Sequence, residues 1–101
     1  MNIVFLEAAE NEFYEAIIFY NLKRENFGYE FSNEVSNALS RIIENPEAWT
    51  RLSKRTHRCL LHRFPYGIIY QIRKRTILIV SVMHLKRNPK TWKSRIPKGR
   101  Q

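Results

Sequence analysis

The apolar positions change their period as the chain proceeds, and each change predicts an element. Ile3-Val4-Phe5-Leu6 is a short unbroken apolar run and predicts a buried strand. From Ala8 to about Arg24 the spacing becomes helical, with Ala9, Phe13, Ala16, Ile17 and Tyr20 recurring on one side. Glu7, Glu10, Glu12 and Glu15 crowd the start of this helix, where acids suit the positive end of the dipole. They read as a solvated face, with contact to basic residues of the same chain or of a second copy as the alternative. Asn26-Phe27-Gly28 breaks the pattern as a turn. Phe31, Val35, Ala38, Leu39 and Ile42 then form a clean helical stripe. Asn45-Pro46 ends it, because the residue before proline is pushed out of the helical region. Two helices joined by a short turn predict an antiparallel hairpin.

Trp49 to Thr56 reads as a basic loop carrying Arg51, Lys54 and Arg55. The period then becomes two. Arg58 to Phe64 is one candidate strand, and Pro65-Tyr66-Gly67 turns the chain or opens the next strand. Ile68, Tyr70 and Ile72 alternate with Ile69, Gln71 and Arg73, Lys74-Arg75 forms a tight tip, and Thr76 to Met83 is the most apolar strand, expected in a central place and closed by His84. The tail from Leu85 holds a short helical turn around Pro89 to Arg95, and its last residues are expected to be loose. The predicted order is β-α-α-β-β-β. Two helical stripes need cover, so the hairpin packs on one face of an antiparallel-rich sheet, giving an α+β two-layer domain over residues 1–101. The other face is expected to carry basic side chains.

Charge sharpens this picture. The net charge is +9 over 101 residues. Residues 1–50, the strand and helical hairpin, hold all nine acids and only three bases; residues 51–101, the sheet and tail, hold fifteen bases and no acid. Such asymmetry implies a polyanion or an acidic protein segment as partner. A single cysteine excludes an internal disulfide, no apolar run reaches membrane-spanning length, and no basic segment precedes the first apolar run as in a signal peptide. A cytoplasmic setting, with no membrane partner, is the expectation. Three histidines without a nearby Asp or Glu make a poor metal site, so neither metal nor cofactor is expected. Cys59 reads as a small core residue, and His57 and His62 as solvated strand residues.

An ordered set of residues carries a resemblance. Arg58, the segment Phe64-Pro65-Tyr66-Gly67-Ile68-Ile69-Tyr70, the strand Ile77 to His84, then Arg87-Asn88-Pro89 and Trp92 resemble the RelE/ParE superfamily of toxins from type II toxin–antitoxin (plasmid-stabilisation) systems. The leading strand, the Glu-rich helix, Gly28 and a second helix ending at Asn45-Pro46 agree. The resemblance implies the RelE-like fold, a cognate antitoxin, and assembly as a homodimer or a toxin–antitoxin hetero-oligomer. It leaves the target open: RelE-like members cut mRNA on the ribosome, and ParE-like members poison DNA gyrase.

Metal-independent RNA cleavage needs a group to take the 2′-OH proton, charge to stabilise the phosphorane, and a proton for the leaving oxygen. Arg58, His84 and Arg87 are the catalytic candidates for a metal-independent endoribonuclease. Arg51, Lys54, Arg55, Arg63, Arg73, Lys86 and Trp92 are candidates for RNA contact. Two positions depart from the nuclease pattern. RelE-like nucleases usually carry an arginine where Gly67 stands, and many end in a catalytic tyrosine where the nearest aromatic here is Trp92. A gyrase poison acting by binding is the alternative, and a non-catalytic nucleic-acid-binding domain is a further one.

Overall fold

The computed structural model describes residues 1–96. The elements are β1 (Asn2–Phe5), α1 (Glu7–Lys23), α2 (Phe27–Glu44), β2 (Thr50–Arg51), β3 (Thr56–Leu60), β4 (Tyr66–Arg73), β5 (Thr76–His84) and α3 (Lys90–Lys93). The strands make a five-stranded sheet in the order β1-β5-β4-β3-β2. β1 runs parallel to β5, and the other neighbouring pairs are antiparallel. The expected α+β arrangement is present, with β5 in an interior place between β1 and β4.

The helical hairpin covers one face of the sheet. Phe31, Val35, Ala38 and Ile42 of α2, and Ala9, Ala16 and Tyr20 of α1, pack with Ile68, Tyr70, Ile77, Ile79 and Val82. An aromatic cluster sits at the hairpin's turn: Tyr20 stacks on Phe31 at 5.2 Å and meets Phe64 edge-on at 4.8 Å. The turn lies earlier than the spacing predicts. Phe27 and Gly28 already belong to α2, and the chain reverses through Arg24, Glu25 and Asn26, the last in the left-handed region at φ 64°. Gly28 permits the close approach of the helices. A Cβ there would lie 2.4 Å from Ile17 O and 2.6 Å from Asn21 Oδ1, while the Gly28 N–H donates to Asn21 Oδ1 at 2.8 Å.

Three expectations are corrected. The segment predicted as a loop after Trp49 contains β2, which pairs Thr50 with Arg58 and Arg51 with His57. Two exposed residues carry no burial pattern for periodicity to find. The strand predicted from Arg58 to Phe64 starts at Thr56 and stops at Leu60. Pro65 cannot donate to a ladder, and the amides of His62 and Arg63 instead donate to Glu34 Oε1 of α2 at 3.1 and 2.9 Å. Phe64 is thereby turned into the core, where it is 5% exposed.

The far face of the sheet is the third correction. It is not simply basic. Ile69, Val80 and Met83 form a second apolar cluster, covered by Trp92 and Ile96 of the C-terminal segment. β5 carries one extra residue against β4, since Ile69 pairs with Ser81 and Tyr70 with Ile79. This irregularity shifts the alternation of β5 midway along the strand. The helical turn expected near Pro89 to Arg95 is α3. The expectation for the last residues lies outside the described residues.

Candidate functional site

The site begins at the end of β5, where the chain leaves the sheet. The turn is closed by the Arg87 N–H donating to His84 O at 3.0 Å and the Lys86 N–H donating to His84 Nδ1 at 3.1 Å. The three catalytic candidates meet here. Arg58 from β3, His84 from β5 and Arg87 from the turn line one cleft of about 190 Å³, with Lys93 on its rim and Ile69 and Met83 among its apolar walls. His84 and Arg87 also border a neighbouring hollow of about 270 Å³ that includes Glu12, Glu15 and Tyr66.

Gly67 explains how Arg58 reaches its place. A Cβ on Gly67 would lie 3.1 Å from both Cγ and Cδ of Arg58, so the arginine stem lies across the glycine. The position where nucleases of the superfamily usually carry an arginine is thus spanned by one from the next strand. Arg58 Nε is buried without a hydrogen-bond partner among the described residues.

His84 is held as a donor. Its Nδ1 accepts the backbone N–H of Lys86, so the neutral ring carries its proton on Nε2. The ring packs edge-on against Tyr66 at 5.3 Å. Burial pushes the Tyr66 phenol above its ordinary value, opposed by Arg87 and reinforced by Glu12.

Glu12 organises this corner and was not legible as a site residue. It is 8% exposed, in line with Ala9 and Ala16 on the buried side of α1. Its Oε1 accepts from Ser81 Oγ at 2.9 Å, the Val82 N–H at 3.1 Å and Arg95 Nη1 at 2.8 Å. Its Oε2 accepts from Arg95 Nη2 at 3.0 Å and Arg87 Nη1 at 3.1 Å. Of the two readings of the acids of α1, Glu12 follows the alternative, contact with basic residues of the same chain, while Glu7, Glu10 and Glu15 are exposed. The signal available was its spacing: three residues after Ala9 and four before Ala16.

The remaining candidates scatter. Arg51 is exposed and donates to Lys54 O at 2.8 Å, bracing the β2–β3 turn. Arg55 and Arg73 line a separate trough with Lys74, and Arg73 donates to Gln71 Oε1 at 2.9 Å. Arg63 lies on the helical side, bound to Glu30 at 2.8 Å. Lys86 is exposed in the turn after β5. Trp92 is 4% exposed within the second apolar cluster, so it packs rather than offering a face to a base. His57, expected in solvent, is buried, stacked on Tyr70 at 5.5 Å with Nδ1 3.1 Å from Trp49 O. Cys59 is buried as expected, and burial raises its thiol pKa, which Arg41 opposes. Among the described residues no cluster of three metal-ligating side chains occurs, and no helix is long and apolar enough to cross a membrane.

A strand, a helical hairpin and an antiparallel meander with a basic cleft at its exit define a small two-layer α+β domain of the kind the resemblance implies. The fold matches a solved chain described as the chromosomal ParDE TA system from P. aeruginosa, with a TM-score of 0.72 over 83% of this chain and 95% of that one. The two are 11% identical, so this likeness concerns the fold alone. No curated protein matches the sequence. The family model for the ParE toxin of the type II toxin–antitoxin system, parDE, matches residues 3–89, and the chain belongs to that family.

Proposed function

We propose that this toxin arrests growth as its ParE-like relatives do, by binding DNA gyrase through the cleft of Arg58, His84 and Arg87, without cutting RNA. The observation that carries this reading is the state of His84. Histidine is the side chain suited to moving protons near neutral pH, and His84 is the only histidine among the residues lining the cleft. With Nδ1 engaged by the Lys86 N–H, its neutral ring offers a donor and no free acceptor for a 2′-OH proton. The cleft is a set of donors and cations, the chemistry of binding an anion rather than of activating a hydroxyl. A cognate antitoxin masks this basic surface with an acidic segment.

A second reading rests on a specific observation as well. Arg58 and Arg87 supply phosphate charge in the same cleft as His84, and the Tyr66 phenol stands beside the histidine ring. That set suits a metal-independent endoribonuclease acting on translated mRNA if His84 releases Lys86.

Induction of the chain in bacteria separates the two. The gyrase reading predicts growth arrest with a rising SOS response, no new 5′ ends in primer extension, and rescue by the neighbouring antitoxin gene. In-frame mRNA breaks that disappear on His84→Ala would establish the nuclease instead. Normal growth with soluble protein present would count against both.

A further inference from the structure

The two arginines on Glu12 are not equivalent. Arg95 is held from several directions: both terminal nitrogens reach the carboxylate, and Nη1 also donates to Val80 O at 2.9 Å. Its side chain is 17% exposed. Among the described residues the Arg87 side chain makes a single hydrogen bond, Nη1 to Oε2 at 3.1 Å, and it is 51% exposed. Removing a partner from a buried carboxylate is costly when the charge is left bare. Here it would not be bare. With Arg87 gone, Glu12 keeps both nitrogens of Arg95, the Ser81 hydroxyl and the Val82 amide. The Arg87 backbone stays fixed by the turn at His84, while its side chain borders two hollows.

We propose that Arg87 is a releasable arginine: a phosphate of a nucleic-acid backbone entering the cleft draws its guanidinium off Glu12 to join Arg58 and His84, while Arg95 keeps the buried carboxylate paired. Glu12 is then a positioning residue, which parks Arg87 and sets how readily it is given up. The ligand class follows from the donors. Arg58 Nε has no partner among the described residues, His84 presents Nε2–H, and Arg87 brings a planar fork, a combination that matches the oxygens of a phosphodiester. The proposal rests on the cleft being the toxin's working face, but its test does not pass through toxicity.

The test uses the purified full chain and inorganic phosphate as probe, read through the arginine side-chain resonances in ¹⁵N-labelled protein. Phosphate is expected to shift the Arg87 Nε–H signal and remove its proximity to Glu12, and to leave Arg95 in place. Arg87→Ala is expected to weaken phosphate binding about tenfold, with Arg24→Ala, a surface arginine outside the cleft, binding as the wild type. Glu12→Gln is expected to bind phosphate a few-fold more tightly, because the parking charge is gone; should it fail to fold, the wild-type spectra and Arg87→Ala decide alone. A short single-stranded RNA and a short DNA duplex, added separately, identify the source of the phosphate, and the Arg87 shift with either supports the proposal. It is overturned if no phosphate binding occurs, if Arg87 stays on Glu12 at saturation, if Arg95 moves instead, or if Arg87→Ala binds as the wild type. Growth arrest on induction tests the toxin reading independently, so the two can fail separately.

Discussion

Replacing Arg95 by alanine is expected to damage the fold far more than replacing Arg87, although both are bound to the same carboxylate. Arg95→Ala removes two charge-assisted bonds to a group that is 8% exposed, at 2.8 and 3.0 Å, and a third bond to Val80 O. Breaking a buried pair from one side costs about 3–5 kcal/mol, because a charge is left underpaired. Ser81, Val82 and Arg87 still serve Glu12, so about 2–4 kcal/mol is expected here. Arg87→Ala removes one contact made by a half-exposed side chain and is expected to cost less than about 1 kcal/mol. In a chain of 101 residues each kcal/mol moves the melting temperature by roughly 4–8 °C. The first variant should therefore melt roughly 8–32 °C lower and the second within about 8 °C of the wild type. Urea unfolding followed by far-ultraviolet circular dichroism measures both, and the double variant with Glu12→Ala should cost less than the two singles together. Equal losses for Arg95→Ala and Arg87→Ala, or a loss below about 1 kcal/mol for Arg95→Ala, would refute the assignment of Arg95 as the structural partner.

Further expectations follow from single contacts. Gly28→Ala places a methyl 2.4 Å from Ile17 O and must push the helices apart, so thermal melting should show a loss of about 2–4 kcal/mol. Gly67→Ala crowds the side-chain stem of Arg58 at 3.1 Å and makes ordinary contact with Leu60 Cδ2 at 3.5 Å, so stability should change by less than about 1 kcal/mol while toxicity falls with the displaced arginine. Glu30 is held below the ordinary carboxylate range by hydrogen bonds from Arg24 and then Arg63. A carboxylate with a lowered folded pKa adds stability above its unfolded pKa and loses it as the pH falls through the folded value. An acid titration of unfolding should thus show wild type and Glu30→Gln converging at low pH and parting as the pH rises.

Much of this architecture was legible because burial leaves a period. The stripe Phe31, Val35, Ala38 and Ile42 and the run Ile77 to Val82 announce their elements through residues that, Leu78 apart, are fully or almost fully buried. β2 was invisible because both its residues are exposed and its pairing depends on β3. The far-face cluster was missed for a related reason. Trp92 and Ile96 lie in a segment too short and too basic to show a stripe, and they are recruited by a sheet formed far earlier in the chain. For the candidate site, residue chemistry and family resemblance name Arg58, His84 and Arg87, and the fold brings these three to one cleft. Glu12 was hidden by its acidic neighbours, since Glu7, Glu10 and Glu15 are exposed on the same helix. Its spacing from Ala9 and Ala16 places it on the buried side, and the pairing with Arg87 and Arg95 shows why that side accepts an acid. The charge asymmetry of the two halves acquires a local meaning there, because an acid of the first half binds two bases of the second.

On the proposed gyrase-poison reading, the cleft built from β3, the end of β5 and the following turn is the contact surface, and purified gyrase with supercoiled plasmid is the decisive assay. The wild-type chain is expected to trap gyrase–DNA cleavage complexes, Arg58→Ala and Arg87→Ala to lose this effect while remaining folded, and Arg24→Ala to retain it. Trapping unaffected by the cleft variants, or RNA cleavage by the wild-type chain with gyrase untouched, would overturn that reading.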